Sequence, residues 1–241
     1  MHAATSGRSS RSDAPWRWPG QCAVCLDWST QRICRDCVER LAPVQPRCAR
    51  CGLRTPAAVT QCGACLADPP PFTACIVGCD YAFPWDRLIA DFKFNGRVEL
   101  ARPLTDRLLQ AVRASTPLPA LLLPVPLSPQ RLAERGYNQA WELTRRIARR
   151  LGCRAEAEVL LRPLDGPHQA TLGLAQRRAN LQGAFVAAPP RHVSLRGLHV
   201  ALVDDVMTSG ATLREATLAL QRAGAGRVDA WVLARTPAAA D

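Results

Sequence analysis

Two adjacent carboxylates, Asp204 and Asp205, stand just before a run of small residues, most of them hydroxyl-bearing or flexible. This run consists of Thr208, Ser209, Gly210, Ala211 and Thr212. Free amides and hydroxyls at the start of a helix bind phosphate oxygens, because the helix dipole favours negative charge there. Carboxylates do not bind phosphate directly, so the acidic pair suits hydroxyl groups or a metal ion beside the phosphate. Together the two groups predict a site for a sugar phosphate.

The flanking residues predict the strand and helix that would position this site. Residues 198–203 form an apolar run with β-branched members, which is typical of a strand in the middle of a parallel sheet. Apolar residues then recur at helical spacing over residues 213–223, and Gly224 is suited to end that helix. The acidic pair would therefore lie at the carboxyl end of a strand, where α/β sheets bind their ligands.

The segment resembles the phosphoribosyl-pyrophosphate motif of the type I phosphoribosyltransferases. The resemblance implies that Asp204 and Asp205 hold the ribose hydroxyls and that residues 208–212 hold the 5-phosphate. The alternative is an ordinary strand–turn–helix of a doubly wound protein. Two carboxylates directly before such a turn favour the phosphoribosyl interpretation.

Eight cysteines form four CxxC pairs near the start of the chain: Cys22, Cys25, Cys34, Cys37, Cys48, Cys51, Cys62 and Cys65. Each pair supplies two of the four thiolates of a tetrahedral zinc site, so the four pairs predict two zinc ions. One zinc ion with free thiols, or a redox role, is the alternative. The spacing leaves open whether consecutive or interleaved pairs share an ion. The opening residues do not read as a signal peptide, so we expect a cytoplasmic protein, in which cysteines favour metal over disulfides.

Strand-like and helix-like segments alternate through the rest of the chain. Predicted strands cover residues 73–83, 121–126, 159–161, 198–203 and 228–233. The alternation predicts an α/β fold, a mainly parallel sheet with helices on both faces, preceded by a small zinc-ribbon module. We expect a disordered tail over residues 1–20, a double zinc ribbon over 21–68 and a type I phosphoribosyltransferase-like domain over 72–237. No segment approaches the roughly 20 apolar residues of a membrane span, so no membrane insertion is expected.

Two polar loops would complete the predicted site. The loop after the strand at 121–126 carries Arg131 and Arg135, whose guanidinium groups are suited to phosphate oxygens. In the type I layout this loop meets pyrophosphate, and we extend that role to Lys93, the single lysine among 31 basic residues. Surface charge is the alternative for all three cations. Residues 163–185 resemble the mobile cover of these enzymes, with Gln169, Arg177, Arg178 and Asn180 as its polar members.

The order of motifs over residues 20–236 is similar to that of the ComF family, the ComFC and GntX type competence-associated proteins. Besides the cysteines and the acidic pair, the motifs are Phe92-Lys93-Phe94-Asn95-Gly96, Pro124-Val125-Pro126-Leu127, Arg135-Gly136-Tyr137-Asn138-Gln139 and Gly183-Ala184-Phe185. The resemblance implies binding of phosphoribosyl pyrophosphate with Mg²⁺. It also implies a role in DNA uptake during natural competence, with single-stranded DNA and a competence helicase as partners.

Three functions remain open at this point, one of them a transcriptional or scaffold role for the zinc module alone. A phosphoribosyltransferase would transfer the ribosyl group to an unknown nitrogen acceptor. Thr208 stands where the 6-oxopurine salvage enzymes carry an Asp that handles a proton, so hypoxanthine or guanine salvage is not expected. The alternative is a non-catalytic module that handles single-stranded DNA and retains the sugar-phosphate pocket. A net charge of +11 and the basic residues Arg145, Arg146, Arg149 and Arg150 of one predicted helix favour contact with a polyanion, although such helix faces are usually solvated.

Overall fold

The computed structural model describes residues 19–113, 117–163 and 183–238. In chain order its strands are β1 (Gly20–Gln21), β2 (Trp28–Ser29), β3 (Cys75–Asp80), β4 (Leu121–Pro124), β5 (Arg154–Ala155), β6 (Leu160–Leu161), β7 (Val186–Ala187), β8 (His199–Met207) and β9 (Arg227–Arg235). The helices are α1 (Arg35–Leu41), α2 (Gly63–Ala67), α3 (Trp85–Phe94), α4 (Ala101–Val112), α5 (Pro129–Arg135), α6 (Gln139–Leu151) and α7 (Ala211–Arg222). None of these helices has the length and apolarity that a membrane crossing requires.

Five strands form a central sheet in the order β3-β9-β8-β4-β5, and every neighbouring pair runs parallel. From β4 the chain continues through α6 to β5 on one side, whereas from β8 it continues through α7 to β9 on the other. The loops that leave these two adjacent strands therefore diverge and open a crevice at their carboxyl ends. The predicted α/β fold with a mainly parallel sheet is confirmed.

The middle of each inner strand is largely apolar because the sheet is covered on both faces. Val200, Ala201, Leu202 and Val203 of β8 are all fully buried. One layer of helices, α3, α4 and α6, packs with Trp85, Phe92, Leu104 and Leu143 on one face. On the other face α7 and the β6–β7 ribbon pack through Leu213, Leu220 and Leu160.

The cysteine-rich segment straddles β3, the edge strand of the sheet. Cys22 and Cys37 pack with the α3–α4 layer, whereas Cys48 and Cys51 pack with the α7 layer. The backbone N–H of Cys75 in β3 donates to the carbonyl of Ala49 at 2.8 Å. On the opposite face the indole N–H of Trp85 donates to the carbonyl of Leu41 at 2.8 Å. The segment thus covers a sheet edge whose backbone groups would otherwise be unpaired.

Candidate functional site

A cleft of about 150 Å³ lies at the carboxyl ends of β4 and β8. Six of the predicted site residues line it: Lys93, Arg131, Arg135, Asp204, Asp205 and Thr212. They come from α3, α5, the end of β8 and the start of α7, elements that are distant in the chain. The crevice between the diverging loops therefore holds acidic, basic and hydroxyl groups together.

The acidic pair has two different environments because successive residues of a strand point to opposite faces. Asp205 is buried, and its Oδ1 lies 2.9 Å from Nζ of Lys93. Oδ1 of Asp204 accepts a hydrogen bond from the backbone N–H of Asp205 at 2.8 Å. Burial and the neighbouring Asp205 charge raise the pKa of Asp204 to about 7, and the Lys93 charge opposes part of this rise. One carboxyl group of the cleft is therefore able to exchange a proton near neutral pH.

The predicted phosphate loop has a backbone that only glycine adopts easily. Gly210 has φ +80°, and a Cβ placed on it would lie 2.5 Å from Cε of Met207. The hydroxyl of Ser209 accepts from the N–H of Ala211 at 3.3 Å, where α7 begins. The exposed Thr208 and the cleft-lining Thr212 flank this turn. The start of α7 thus presents amide and hydroxyl groups at the cleft.

The two predicted pyrophosphate arginines lie one turn apart on α5. Ser128 caps this helix by accepting from the N–H of Arg131 at 3.4 Å, and Gly136 ends it with φ +75°. The guanidinium of Arg135 lies 5.0 Å from the ring centroid of Phe94, a side chain that is 67% exposed. A second pocket of about 340 Å³ adjoins the cleft here and shares Lys93 and both arginines with it. The basic wall of the cleft therefore continues into an aromatic surface.

Two of the three residues that follow Gly136, Tyr137 and Gln139, bond to the end of α3 that carries Lys93, although the sequence analysis named them only as part of a motif. The hydroxyl of Tyr137 donates to the carbonyl of Phe92. The amide of Gln139 donates to the carbonyl of Lys93 at 3.4 Å, and Asn138 caps α6. These bonds tie the end of α3 to the loop after β4. The signal in the sequence was a run of hydrogen-bonding side chains directly after a turn glycine, which does not by itself reveal the partner.

The predicted cover residues Gln169, Arg177, Arg178 and Asn180 lie outside the described residues. Of the residues on either side of that stretch, Arg162 lines the cleft. On the other side the N–H of Gly183 donates to a carboxylate oxygen of Glu215 on α7 at 3.4 Å. The role of the four cover residues stays a prediction.

The eight CxxC cysteines form two groups by consecutive pairing, which settles the question that the spacing left open. The first tetrad is Cys22, Cys25, Cys34 and Cys37, and the second tetrad is Cys48, Cys51, Cys62 and Cys65. Within each tetrad all four sulfur atoms lie within 4.8 Å of one another. The Cys25–Cys34 and Cys51–Cys62 sulfur separations are 3.7 and 3.6 Å. A tetrahedral zinc ion with Zn–S bonds of about 2.3 Å requires sulfurs about 3.8 Å apart, so both tetrads fit zinc.

Backbone amides favour the thiolate form in both tetrads. The N–H of Cys34 donates to Sγ of Cys22, and the N–H of Cys62 donates to Sγ of Cys48, each at 3.3 Å. Burial opposes ionisation, but these and neighbouring amide bonds outweigh it and lower the pKa of Cys22 to about 6 and that of Cys48 to about 7. Burial raises the pKa of Cys37, Cys51 and Cys65, so one thiol of each tetrad ionises readily and the binding of zinc, which needs thiolates, would release protons from the others.

The basic face predicted on α6 is partly neutralised within the protein. Arg145 and Arg146 both donate to the carboxylate of Glu142. Arg150 pairs with Asp106 at 3.2 Å across to α4. This face therefore offers less free positive charge to a polyanion than its sequence suggests.

Similar sequences extend over most of the chain. The family model for a phosphoribosyl transferase domain matches residues 146–241. The DNA utilization protein YhgH of Salmonella typhi is 36% identical over 226 residues, which cover 90% of this chain and 98% of that protein. YhgH of Escherichia coli strain K12 is 35% identical over the same length, again covering 90% and 98%. Competence protein F of Haemophilus influenzae is 33% identical over 208 residues, covering 84% of this chain and 90% of that protein.

Solved structures with similarity to this chain include glutamine phosphoribosylpyrophosphate amidotransferase from B. subtilis, with TM-score 0.40, 18% identity and coverage of 60% of this chain and 30% of that one. Another is a purine phosphoribosyltransferase from Pyrococcus horikoshii, with TM-score 0.35, 17% identity and coverage of 57% and 83%. The family match and the parallel sheet together show a phosphoribosyltransferase-type fold, as predicted.

Proposed function

The chain belongs to the ComF family of competence-associated proteins, and from this premise we propose that its cleft binds phosphoribosyl pyrophosphate together with Mg²⁺. The observation that carries the proposal is that the acidic pair, the three predicted cations and Thr212, the last residue of the predicted phosphate loop, line one cleft. Asp204 and Asp205 would accept hydrogen bonds from the ribose hydroxyls, and residues 208–212 would bind the 5-phosphate.

The cations on the other wall complement the second anionic group of this ligand. Arg131 and Arg135 project from successive turns of α5 and would bind pyrophosphate oxygens, with Lys93 between them and the acidic pair. Carboxylates and cations of one site suit a ligand that carries both hydroxyls and phosphates. A simple phosphate has no hydroxyl groups of a sugar to offer to the acidic pair.

We propose that the bound donor reacts with a nitrogen nucleophile at the ribose C1. The bond from C1 to the pyrophosphate oxygen breaks, its electron pair leaves with pyrophosphate, and a C1–N bond forms as the nucleophile loses its proton. Arg131 and Arg135 would stabilise the charge on the departing group, and the acidic pair would hold the ribose in place. Mg²⁺, when bound, supplies further neutralisation of the pyrophosphate charge.

The names of the relatives suggest the process that the chain serves. Because these proteins are described as DNA utilization protein and competence protein, we propose a role in handling DNA that enters the cell. The net charge of +11 supports single-stranded DNA as a partner, and a competence helicase is a further partner that we propose. A module that binds the donor without transferring it is the alternative within this role.

Calorimetric titration of the zinc-loaded protein with phosphoribosyl pyrophosphate and Mg²⁺ tests the binding proposal. We expect binding by the wild type and loss of at least about tenfold in affinity in the Asp204→Asn/Asp205→Asn variant, because the ribose contacts are removed. Asp229→Asn is the matched control, since Asp229 is also buried and paired, with His199 and Arg227, but lies outside the cleft. Absence of binding by the wild type would refute the proposal.

Pyrophosphate release separates transfer from binding alone. The wild type is incubated with the donor, Mg²⁺ and a panel of nitrogen bases, with Asp204→Asn/Asp205→Asn as the blank. Release that depends on one base supports transfer and identifies the acceptor. Binding without release, combined with salt-dependent binding of a single-stranded oligonucleotide, supports the non-catalytic alternative.

A further inference from the structure

We infer that Arg235 is a positioning residue that couples the second tetrad to the phosphate loop, so that metal in the second tetrad, but not in the first, sets the affinity for the sugar-phosphate donor. The ligand named in this inference rests on the proposed function. The coupling itself rests on contacts of Arg235 that are independent of any ligand.

Arg235 is the last residue of β9 and is 6% exposed. Its Nε donates to the carbonyl of Cys51 at 3.0 Å. Its Nη1 donates to the carbonyl of Met207 at 3.1 Å and also to the carbonyl of Thr208. A guanidinium is planar and rigid, so these bonds fix the backbone of the second tetrad relative to the first residues of the phosphate loop.

A packing contact joins the same two parts of the molecule. The thiol of Cys75 lies 3.9 Å from the sulfur of Met207, and the Cys75 N–H donates to the carbonyl of Ala49, which lies between Cys48 and Cys51 of the second tetrad. The methyl group of Met207 lies directly beneath Gly210, where a Cβ would approach it to 2.5 Å. A shift of the second tetrad would therefore move Met207, and Met207 cannot move toward the loop without displacing Gly210.

A metal-loaded second tetrad would supply negative charge close to the guanidinium of Arg235. The hydrogen bonds that Arg235 makes within the described residues all end on carbonyl oxygens, and no carboxylate there lies within ion-pair distance of it. A zinc ion with four thiolates carries a net charge of −2. A loaded second tetrad would therefore place negative charge beside a buried guanidinium that makes no ion pair with a carboxylate among the described residues.

The first tetrad has no such connection. Cys22 and Cys37 pack with Ile33 and Trp85 on the opposite face of the sheet. Their contacts among the described residues do not include the phosphate loop. The chain thus carries its own control, a second site of the same metal chemistry outside the proposed coupling.

Cys62→Ser and Cys34→Ser form the matched pair for the test. Each is the third cysteine of its tetrad, is partly buried and stands at the N-cap position of a short helix, although only the Cys34 side chain accepts a capping hydrogen bond there. Elemental analysis should show a fall from two zinc ions to one in either variant. We expect Cys62→Ser to weaken donor binding by about tenfold, a typical coupling between two sites, and Cys34→Ser to leave it unchanged.

Arg235→Met tests the link without touching a metal ligand. Arg107→Met is its control, because Arg107 is also a buried guanidinium, 7% exposed, that donates to a carbonyl, that of Gly78, at 2.6 Å. We expect Arg235→Met to retain both zinc ions and to lose donor affinity, whereas Arg107→Met keeps it. Adding Cys62→Ser to Arg235→Met should cost little more, since both changes break one connection.

Hydrogen exchange of the amides of residues 208–212, measured without ligand, separates this inference from the proposed function. Faster exchange in Cys62→Ser and Arg235→Met, but not in Cys34→Ser and Arg107→Met, supports the coupling even where wild-type protein fails to bind the donor. Equal exchange and equal donor affinity in the two members of each pair would overturn it. If a cysteine variant does not fold, the arginine pair decides alone.

Discussion

The Asp204→Asn variant is expected to be more stable than the wild type at neutral and alkaline pH, although it removes a predicted ligand group. Burial and the Asp205 charge raise the pKa of Asp204 from 3.8 to about 7. Between these values the folded protein retains a proton that the unfolded chain has already lost. The stability of the wild type therefore falls as pH rises through this interval, and asparagine, which is nearly isosteric and does not titrate, avoids the loss.

The size of the stability gain in Asp204→Asn follows from the rise in the pKa of Asp204. One pKa unit corresponds to about 1.4 kcal/mol, so a rise from 3.8 to about 7 sets an upper limit of about 4 kcal/mol above pH 7. A pH of 5.5 lies about halfway between the pKa values of Asp204 in the unfolded and folded protein. The gain in the free energy of unfolding at pH 5.5 should therefore be about half of the gain at pH 8. For a chain of this length each kcal/mol raises the melting temperature by about 2–4 °C.

Thermal unfolding of the zinc-loaded protein at pH 5.5 and pH 8 measures this gain. Asp205→Asn is the comparison, because it removes the partner of Lys93 and should lower the melting temperature at pH 5.5; at pH 8 part of this loss is offset, since the Asp205 charge no longer raises the pKa of Asp204. Neighbouring substitutions of the same chemistry would then act in opposite directions at pH 5.5. A lower melting temperature in Asp204→Asn, or a gain that does not depend on pH, would refute the electrostatic account of this site.

Three further predictions concern the groups around the acidic pair. Tyr137→Phe removes the hydrogen bond to the carbonyl of Phe92 and should lower the free energy of unfolding by about 1 kcal/mol in denaturant titrations, with weaker donor binding; unchanged stability would contradict it. Gly210→Ala forces a Cβ to within 2.5 Å of Met207 Cε at a φ of +80°, so calorimetry should show loss of donor binding. Lys93→Arg keeps the charge but not the compact ammonium, and donor affinity should fall; full affinity and full activity in that variant would exclude a special role for lysine.

The sheet was predictable from the sequence where strands are long and buried on both faces. The apolar runs at 121–126, 198–203 and 228–233 all became parallel strands because they lack the alternation of a half-exposed strand. The run at 159–161 did not join the sheet. It pairs antiparallel with β7, while the two residues of β5 take the sheet edge. A strand of two residues is too short to show a periodic pattern, so β5 could not be predicted from the sequence.

The site was predictable where its residues are local. The acidic pair and the phosphate loop lie within one strand–turn–helix, and the distance along the chain fixes their geometry. Lys93 and Asp205 come from different elements, α3 and β8. Hydrogen bonds from Tyr137 and Gln139 hold the end of α3 in place, and no pattern in the sequence predicts these bonds. The pairing of the cysteines became clear only with the fold, since the two tetrads lie on opposite faces of β3. The ligand roles of all these residues stay predictions.

The acidic pair of the cleft is largely neutralised by its own surroundings, and this explains why Lys93 matters. Lys93 neutralises Asp205, while Asp204 holds a proton near neutral pH, so little uncompensated negative charge faces the cleft. Binding of a ribosyl donor would replace the contacts that the acidic pair makes within the protein with contacts to the ligand. The ribose hydroxyls would donate hydrogen bonds to the carboxylates of Asp204 and Asp205, and the phosphates would attract the ammonium group of Lys93. A lysine makes a single-point contact and turns easily from one anion to another, whereas an arginine bound to Asp205 through two parallel hydrogen bonds would have to break both. The acidic pair thus depends on a cation that is able to leave it.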